Sequence, residues 1–491
     1  MKIVAKIGSD ISLLALPSEQ IYVGDYVSIE DEDQNAMLIV QVCDEQYLDH
    51  LGTVEDMVRD EVLKAAAEGV ESDPLDISSI SHLIRDMRLL KCKIRGSVDG
   101  GRFTSNVSWL PSRVKAKIRR LPIAELMRLA GLNGSRSITL GEVGEAEMLR
   151  IFAESLDGRL NIITGRKESG KSHLAKLLAT EMVRFGAYVF IFDLNNEYGG
   201  LAWNRDGSPS RSSEKTIVLS PGNSMLFTLQ YLGMSAVVGM LNHVLDMPGA
   251  SLREFIRLWK LLESQKSLSM RALGDQIQTT RCNELVRDAL FSRYHTMLSS
   301  GLFTDEQSFR IEDIFSKLPN GGLVVISLGG VSAHIRQMIV EIFLGKLVGL
   351  LESKRIPPVF LFAEEAHLYL RETYWDDIVT RMRHFGIFTT FITNQPDAIN
   401  DGIYRQVDNI FLFNFTNDTD LEKIARVTMI DTDTVKSIVR TLPPRNCLAL
   451  GHAVANLPII VKVTQTETRN LGETRLFFNT EWAACPVQRS T

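Results

Sequence analysis

A glycine-rich run in the first half of the chain matches the pattern G-x-x-x-x-G-K-[ST] of loops that bind nucleotide phosphates. Its residues are Gly165, Arg166, Lys167, Glu168, Ser169, Gly170, Lys171 and Ser172, and His173 follows them. In such a loop the backbone N–H groups surround the phosphates, the lysine reaches the β and γ phosphates, and the serine hydroxyl is a ligand of Mg²⁺. The sequence therefore predicts that residues 165–173 bind a nucleoside triphosphate, with Lys171 as a catalytic residue and Ser172 as a metal ligand.

The residues on either side of this loop supply the elements that the motif requires. Leu160–Thr164 is a short apolar run that predicts a buried strand. After the loop, apolar residues recur at helical spacing from Leu174 to Met182, and Gly186 ends the pattern. A helix that begins at the loop adds the affinity of its N-terminus for anions. The alternative, a glycine turn without a function, is disfavoured by this order of strand, loop and helix.

A pair of carboxylates follows another predicted strand. Val359–Ala363 is apolar, and Glu364 and Glu365 come directly after it. A P-loop protein that hydrolyses a nucleotide also needs an acidic residue near the metal and a group that orients the attacking water. We predict that Glu364 holds Mg²⁺ and that Glu365 polarises the water, with a solvated acidic turn as the alternative. For His367, a functional role and a structural role are both open.

Two further polar positions flank the predicted strand Ile387–Thr393. Gln395 follows the strand, where its amide could sense the γ-phosphate or position water, or could instead cap a turn. Arg383 precedes the strand and could reach the nucleotide of a neighbouring subunit as an arginine finger, with a surface ion pair as the alternative. Arg381 is the second candidate for the same role.

The composition is that of a folded globular protein, with 491 residues of which 45% are apolar and 23% charged. It excludes intrinsic disorder, collagen and coiled-coil rods as the main organisation. No apolar run approaches the length of about 18–20 residues that spans a bilayer, so we expect no membrane association. The five cysteines are scattered singly. This argues against a disulfide framework or a zinc ribbon, and we expect a cytoplasmic protein in a reducing compartment.

The charge of the chain does not decide whether it binds nucleic acid. The net charge is −6, so a basic footprint of the whole protein is absent. A ring, however, can confine its basic residues to a pore while its outside stays acidic. The segment Arg113–Arg120 contains five basic residues in eight. We interpret it as a solvated linker helix rather than as a contact with nucleic acid.

From about residue 136, short apolar runs alternate with helical segments, which predicts a parallel α/β sheet. The predicted strands are Leu160–Thr164, Tyr188–Asp193, Thr216–Leu219, Leu323–Leu328, Val359–Ala363, Ile387–Thr393 and Ile410–Phe415. Between Pro221 and about Pro319 helical signals dominate, which indicates a helical insertion. Two more strand-like runs lie between residues 447 and 464.

The N-terminal part has a different pattern. Ile21–Ile29 and Met37–Val42 predict strands of a small β-barrel or meander, and Leu89–Ile94 predicts another strand before a turn at Gly96–Gly101. Two helices are predicted between these strands, at 54–67 and 77–87.

Several motifs together resemble the HerA-type ATPases of the HerA/FtsK superfamily. The matching segments are Ile138–Glu142, Gly165–Ser172, Asp193–Tyr198, Glu364–His367, Arg383–Gly386, Asn394–Pro396 and Asp408–Phe411. The run from Asp193 resembles the family signature D-P-x-G-E-Y, with Leu194 and Asn196 in place of proline and glycine. The P-loop also departs, because Arg166–Ser169 stand where the family has small residues. These departures leave ATP binding intact and indicate a divergent branch.

The resemblance implies an α/β fold with a RecA-like P-loop core, a parallel sheet, a helical insertion and a small N-terminal β-barrel. The expected domains are a β-barrel-like domain with a helical insert at 1–110, a linker at 111–135, the ATPase core at 136–465 with its insertion at about 221–319, and a C-terminal brace or arm at 466–491.

The resemblance further implies a homohexamer that hydrolyses ATP with Mg²⁺ and moves along double-stranded DNA as a translocase or helicase. Such proteins work with a nuclease of the NurA type, and relatives in antiviral defence pair with sirtuin-like or nuclease effectors. A second interpretation is an ATPase ring that acts as a scaffold and regulator of a defence effector. A third is a RecA-like motor that moves protein rather than DNA.

Overall fold

A computed structural model describes residues 1–31, 33, 35–47, 86–105, 107, 109–144, 147–369, 382–415, 417–427, 432–469 and 471. These residues form two compact units. The first consists of Met1–Leu174 with Asn394–Thr464, and the second of Ala175–Thr393 with the described residues from Gln465 onward. Across the described ranges, no helix combines the length and the apolar character that crossing a membrane requires.

The N-terminal part of the first unit is a curled antiparallel sheet, a half-barrel of seven strands. The strands are Lys2–Ile7, Asp10–Ala15, Tyr26–Asp31, Ala36–Tyr47, Arg88–Asp99, Arg102–Thr104 and Lys117–Arg120. Apolar side chains that alternate along these strands form one core, which includes Ile11, Leu13, Val27, Leu38 and Leu90. The small N-terminal β-domain predicted from the sequence is therefore present.

Of two local predictions in this part, one is wrong and the other holds only in part. Residues 117–120 form a strand that pairs with Val27–Glu30, not a linker helix. The ion pairs explain the difference, because Arg119 contacts Glu30 at 3.0 Å across the strand pair and Glu125 at 2.8 Å. The turn predicted at Gly96–Gly101 is shorter than expected, because strand Arg88–Asp99 runs through Gly96 and the turn to strand Arg102–Thr104 lies at Gly100 and Gly101. A Cβ at Gly96 would lie 2.6 Å from the Phe103 ring, so glycine serves close packing there rather than a turn.

The helices predicted at 54–67 and 77–87 fall almost entirely outside the described residues. Of their positions only Asp86 and Met87 are described, and neither is helical.

The remainder of the first unit contains six strands and several helices. The strands are Ser137–Val143, Glu147–Phe152, Asn161–Thr164, Asn409–Phe413, Asn446–Gly451 and Ile459–Val463. The helices of this part are Ile123–Leu129, Asp401–Tyr404, Asp418–Val427 and Thr432–Thr441, and Lys171–Arg184 begins here. Asn161–Thr164 pairs in parallel with Asn409–Phe413, whereas each following pair is antiparallel. The large sheet is thus mixed, with parallel and antiparallel strand pairs.

Buried hydrogen bonds connect the half-barrel to the C-terminal strands of the first unit. The Tyr26 hydroxyl donates to the Pro458 carbonyl at 2.9 Å, and the Gln41 amide donates to the same carbonyl at 2.8 Å. Tyr26 is 1% exposed and Gln41 is fully buried. Buried polar groups are costly unless they are paired, so these two bonds define how the half-barrel packs within this unit.

The second unit contains five parallel strands. In their spatial order they are Thr216–Leu219, Gly322–Ser327, Tyr188–Asp193, Val359–Glu364 and Ile387–Thr393. All five were predicted from their apolar runs within one residue at either end. Because the strands are parallel, their carboxyl ends lie at one edge of the sheet. That edge carries Asp193, Ser327, Glu364 and Thr393.

Helices account for the long segment between residues 221 and 319, as predicted. They are Leu229–Leu232, Met234–His243, Gly249–Ser264, Met270–Thr279, Glu284–Ser299 and Glu312–Lys317, and Ala333–Glu352 follows. Gly249–Ser264 buries Phe255, Leu258 and Trp259 from one face, in the manner of an amphipathic helix. The segment therefore has an apolar core of its own.

The two hydrogen bonds at Pro458 lead to a test of the packing in the first unit. Tyr26→Phe deletes one donor, while Gln41 still satisfies the carbonyl. We expect the free energy of unfolding to fall by about 1 kcal/mol, measured from urea unfolding curves. Tyr404→Phe is the matched control, because the buried Tyr404 hydroxyl has no partner among the described atoms. Equal losses in the two variants would contradict the role of the Tyr26 bond.

Candidate active site

The P-loop connects strand Asn161–Thr164 to helix Lys171–Arg184, as the sequence predicts. Its two glycines lie against neighbouring backbone. A Cβ at Gly165 would approach Cβ of Phe413 to 2.4 Å, and one at Gly170 would lie 3.2 Å from Cα of Arg445. Gly170 also has φ +118°, which side chains rarely adopt. Glycine is therefore required at both positions for the loop to close.

Backbone hydrogen bonds hold the loop in place. Arg166 N–H donates to the Asn414 carbonyl at 3.0 Å, and Arg445 N–H donates to the Ser169 carbonyl at 2.9 Å. The buried Lys171 ammonium donates to the Arg166 carbonyl at 2.9 Å and so folds back over the loop. The Ser169 hydroxyl is buried without a hydrogen-bond partner among the described atoms. A glycine cradle, a lysine and an unpartnered donor fit a bound phosphate group.

The other loop residues differ in exposure. The side chains of Arg166, Lys167 and Glu168 are exposed, whereas Ser172 is half-buried at the start of the helix. His173 is held by a contact of 2.7 Å between its Nε2 and the Thr464 carbonyl. The sequence assigned all of these residues to nucleotide binding. Three of them are exposed, and Ser172 and His173 are half-buried.

Glu364 ends a central strand of the second unit and is almost completely buried. Its side chain is 2% exposed, and burial, together with the charges of Glu197 and Asp193, raises its pKa to about 8. A hydrogen bond from the Asn195 backbone opposes this shift. Oε2 of Glu364 has no partner among the described atoms. A buried, unpartnered carboxylate oxygen fits a metal ligand, since a cation would favour its ionised form.

Glu365 has a different environment from its neighbour. Its backbone is left-handed, with φ 45° and ψ 45°, and its N–H donates to the Ile392 carbonyl at 2.7 Å. Its Oε2 lies 3.5 Å from Nδ1 of His367. The Thr393 hydroxyl contacts the same nitrogen at 3.0 Å. His367, whose role the sequence left open, thus connects Glu365 to the end of the next strand.

Three residues of the second unit also belong to this site, although the sequence analysis gave them no role in it: Asp193, Glu197 and Lys176. Both oxygens of the Asp193 carboxylate accept backbone N–H bonds at 2.9 Å, from Glu197 and Tyr198. Glu197 pairs with the buried ammonium of Lys176 at 3.3 Å. These contacts close the turn 193–198, which supplies the Asn195 N–H to Glu364.

The sequence pointed to the segment Asp193–Tyr198 but not to Lys176. The run from Asp193 to Tyr198 was noted as a family signature without a role for its side chains. Lys176 gave no signal in the sequence, because it lies on the face of its helix opposite Leu174 and Leu178, where an exposed lysine is ordinary. It is buried because the turn 193–198 packs over that face.

The remaining predicted residues are exposed. Arg383 lies on a short helix at 382–385, and Gln395 precedes the helical turn Pro396–Ala398. Arg381 lies outside the described residues. Lys171, Ser172 and Gln395 belong to the first compact unit, and Glu364, Glu365 and Arg383 to the second.

Known proteins resemble the chain in sequence. The family model described as the central domain of helicase HerA matches residues 163–347. The DNA double-strand break repair helicase HerA of Saccharolobus solfataricus is 20% identical over 67% of this chain and 70% of its own length. A probable helicase of Methanocaldococcus jannaschii, MJ1565, is 22% identical over 94% of this chain and 90% of its own length.

Solved structures show the same fold. The bacterial conjugative coupling protein TrwBΔN70 is 15% identical, with a TM-score of 0.52 over 72% of this chain and 94% of the TrwBΔN70 chain. VirB4 of Thermoanaerobacter pseudethanolicus is 12% identical, with a TM-score of 0.50 over 68% of this chain and 98% of VirB4. The matched family model covers the P-loop and the strand that ends at Asp193. With its glycine cradle, its strand-end glutamates and a central region that matches the HerA family model, the chain is a P-loop ATPase that resembles the HerA type.

Proposed function

We propose that this protein is an ATP-driven DNA translocase or helicase that works as a homohexamer with a nuclease or another effector. The observation that carries the proposal is a P-loop with a buried lysine in a chain whose central region matches the HerA family. Two relatives over most of the chain are named as helicases. TrwB, which has the same fold, is described in complexes with an ATP analogue and with ADP and Mg²⁺. ATP and Mg²⁺ are the proposed cofactors.

The proposed chemistry divides the work among a few side chains. Lys171 compensates charge on the β and γ phosphates, and residues 165–173 bind the nucleotide. Ser172 and Glu364 are the proposed ligands of Mg²⁺, which would neutralise the phosphates when bound. Glu365 polarises the attacking water and accepts a proton from it. The contact with His367 orients the Glu365 carboxylate. Gln395 is the proposed sensor of the γ-phosphate.

The proposed effector is a nuclease of the NurA type, or a sirtuin-like or nuclease effector of antiviral defence. In the alternative, the ring is chiefly a scaffold that assembles and controls this effector. Stimulation of ATP hydrolysis by DNA separates the two, because a translocase couples turnover to its track.

We expect duplex DNA to bind the full chain and to increase its rate of ATP hydrolysis. Phosphate contacts release counterions, so the affinity should fall steeply with salt. The measurement is ATP turnover against duplex concentration, together with binding isotherms from about 50 to 200 mM salt. A polyanion without bases, such as heparin, is the control for charge alone. Failure of DNA to bind at low salt, or to stimulate hydrolysis, would favour the scaffold.

The two adjacent glutamates should respond differently to loss of charge. Glu365→Gln keeps the size of the side chain but cannot take a proton, so ATP should bind while turnover falls by about 10²-fold or more. Glu364→Gln should instead raise the Mg²⁺ concentration needed for half-maximal activity. Turnover is measured in a Mg²⁺ titration, and ATP affinity by equilibrium binding. Identical behaviour of the two variants would overturn this division of roles.

Arg383 is the proposed arginine finger that acts on the nucleotide of a neighbouring subunit. A guanidinium stays charged and can form two hydrogen bonds with phosphate oxygens, so Arg383→Ala should lower turnover by about 10³-fold. Mixing Arg383→Ala with Lys171→Ala subunits should restore part of the activity, since some interfaces then pair an intact P-loop with an intact arginine. Arg355→Ala is a control at another exposed arginine.

Two results would argue against the finger. Full activity of Arg383→Ala alone would remove this residue from the site, and Arg381 would be the next residue to test. No recovery on mixing would leave either a role of Arg383 in its own subunit or a ring too cooperative to tolerate any inactive interface.

A further inference from the structure

Strand Tyr188–Asp193, which leads into the turn that carries Tyr198, pairs with strand Val359–Glu364. Two buried polar atoms on these adjacent segments have no hydrogen-bond partner among the described atoms. They are the hydroxyl oxygen of Tyr198 and Oε2 of Glu364. Tyr198 is fully buried, and Glu364 is 2% exposed. A buried hydroxyl or carboxylate without a partner destabilises the protein. One of these atoms is a donor and the other an acceptor, so a single ligand or rearrangement can satisfy both.

The aromatic ring of Tyr198 is held from several sides. Its backbone N–H donates to Asp193 at 2.9 Å, which fixes the start of the helical turn Tyr198–Ala202. The Lys176 ammonium lies 5.4 Å from the ring centroid, and the same ammonium pairs with Glu197. The ring therefore cannot turn away from the strand ends, and the hydroxyl hydrogen is the part that stays free to reorient.

The surroundings keep the Tyr198 hydroxyl a donor. Burial raises its pKa well above the usual value, and the negative charge of Glu364 is the largest electrostatic contribution, followed by Glu197 and Asp193. The hydroxyl thus retains its proton while carboxylates surround it. The main chain of Glu364 is fixed separately, because the Tyr369 hydroxyl donates to its carbonyl at 2.9 Å. Only the orientation of the Glu364 carboxyl group remains to be set.

We propose that Tyr198 is a positioning residue of the hydrolytic site. When the metal site is filled, its hydroxyl donates a hydrogen bond to the Glu364 carboxylate, directly or through one bound water, and fixes which carboxylate oxygen faces the metal. The inference rests on the proposed role of Glu364 as a ligand of Mg²⁺. Carboxylates that bind metals commonly accept a hydrogen bond on their other oxygen, and loss of that bond weakens metal affinity or activity by about 10-fold or more.

The test uses Tyr198→Phe, which deletes only the hydroxyl oxygen. If the hydroxyl had no role beyond packing, its removal would leave stability and activity unchanged, since it makes no hydrogen bond to lose. We expect the melting temperature of the nucleotide-free protein to stay the same or rise. The Mg²⁺ concentration for half-maximal hydrolysis should rise by about 10-fold, with KM for ATP little changed. The thermal stabilisation that Mg²⁺ adds to bound ADP should also become smaller.

Tyr404→Phe is a closely matched control in the first unit. Tyr404 is also fully buried, its hydroxyl also has no partner among the described atoms, and the Lys423 ammonium lies 5.4 Å from its ring centroid. Carboxylates surround it as well, including Asp420. It differs from Tyr198 in that it belongs to the other compact unit, and the carboxylates that act on its hydroxyl do not include Glu364. We expect Tyr404→Phe to keep the Mg²⁺ dependence of the wild type in both measurements.

The double variant Tyr198→Phe/Glu364→Gln tests whether the hydroxyl acts through Glu364. It should be no worse than Glu364→Gln alone, and independent, multiplied losses would contradict the proposal. Equal behaviour of Tyr198→Phe and Tyr404→Phe would overturn it while leaving the proposed function intact. Wild-type protein without Mg²⁺-dependent ATP hydrolysis would instead overturn the proposed function itself.

Discussion

The burial of the Glu364 carboxylate is the constraint on which the strand-end cluster of the second unit depends. Removing a carboxylate from water is costly unless charge or hydrogen bonds compensate it, and here Glu197 and Asp193 add further negative charge. The surrounding contacts each offset part of this cost. Asp193 accepts two backbone N–H groups, Glu197 pairs with Lys176, and Asn195 donates to Glu364 itself. The compensation remains incomplete at Oε2, and an excess of carboxylate at such a position fits a divalent cation.

In the first unit, the conformation of the P-loop depends on close backbone packing rather than on charge. The P-loop closes only because two glycines lie against Phe413 and Arg445, which belong to the strand beside the loop and to the connection that leads to the next strand. The hydrogen bonds from Arg166 to Asn414 and from Arg445 to Ser169 lock the same surfaces together. Substitution of either glycine would therefore displace the loop from both neighbours, whatever its effect on phosphate contacts.

The strands, the local contacts and the burial of single side chains could be predicted from the sequence to different extents. The five parallel strands followed from their apolar runs, because strands covered on both faces need little more than that. The strand Lys117–Arg120 was mistaken for a helix, since its apolar and basic residues alternate too briefly to show a period and its partners Glu30 and Glu125 are not apparent from local sequence. Lys176 could not be predicted as buried, because Glu197, which pairs with its ammonium, is brought to it only by folding. The predicted domain boundaries stay predictions.

The difference between Glu364 and Glu365 follows from the backbone rather than from the residue type. Successive side chains of a strand point to opposite faces, so two glutamates in regular extended conformation would diverge. The strand ends at Glu364, and the left-handed conformation of Glu365 turns its side chain toward His367 instead. One carboxylate is thereby buried among like charges, where ionisation needs a cation. The other contacts a histidine, a group that can orient a carboxylate without removing its ability to accept a proton. The same two residues in one continuous strand could not provide these two environments.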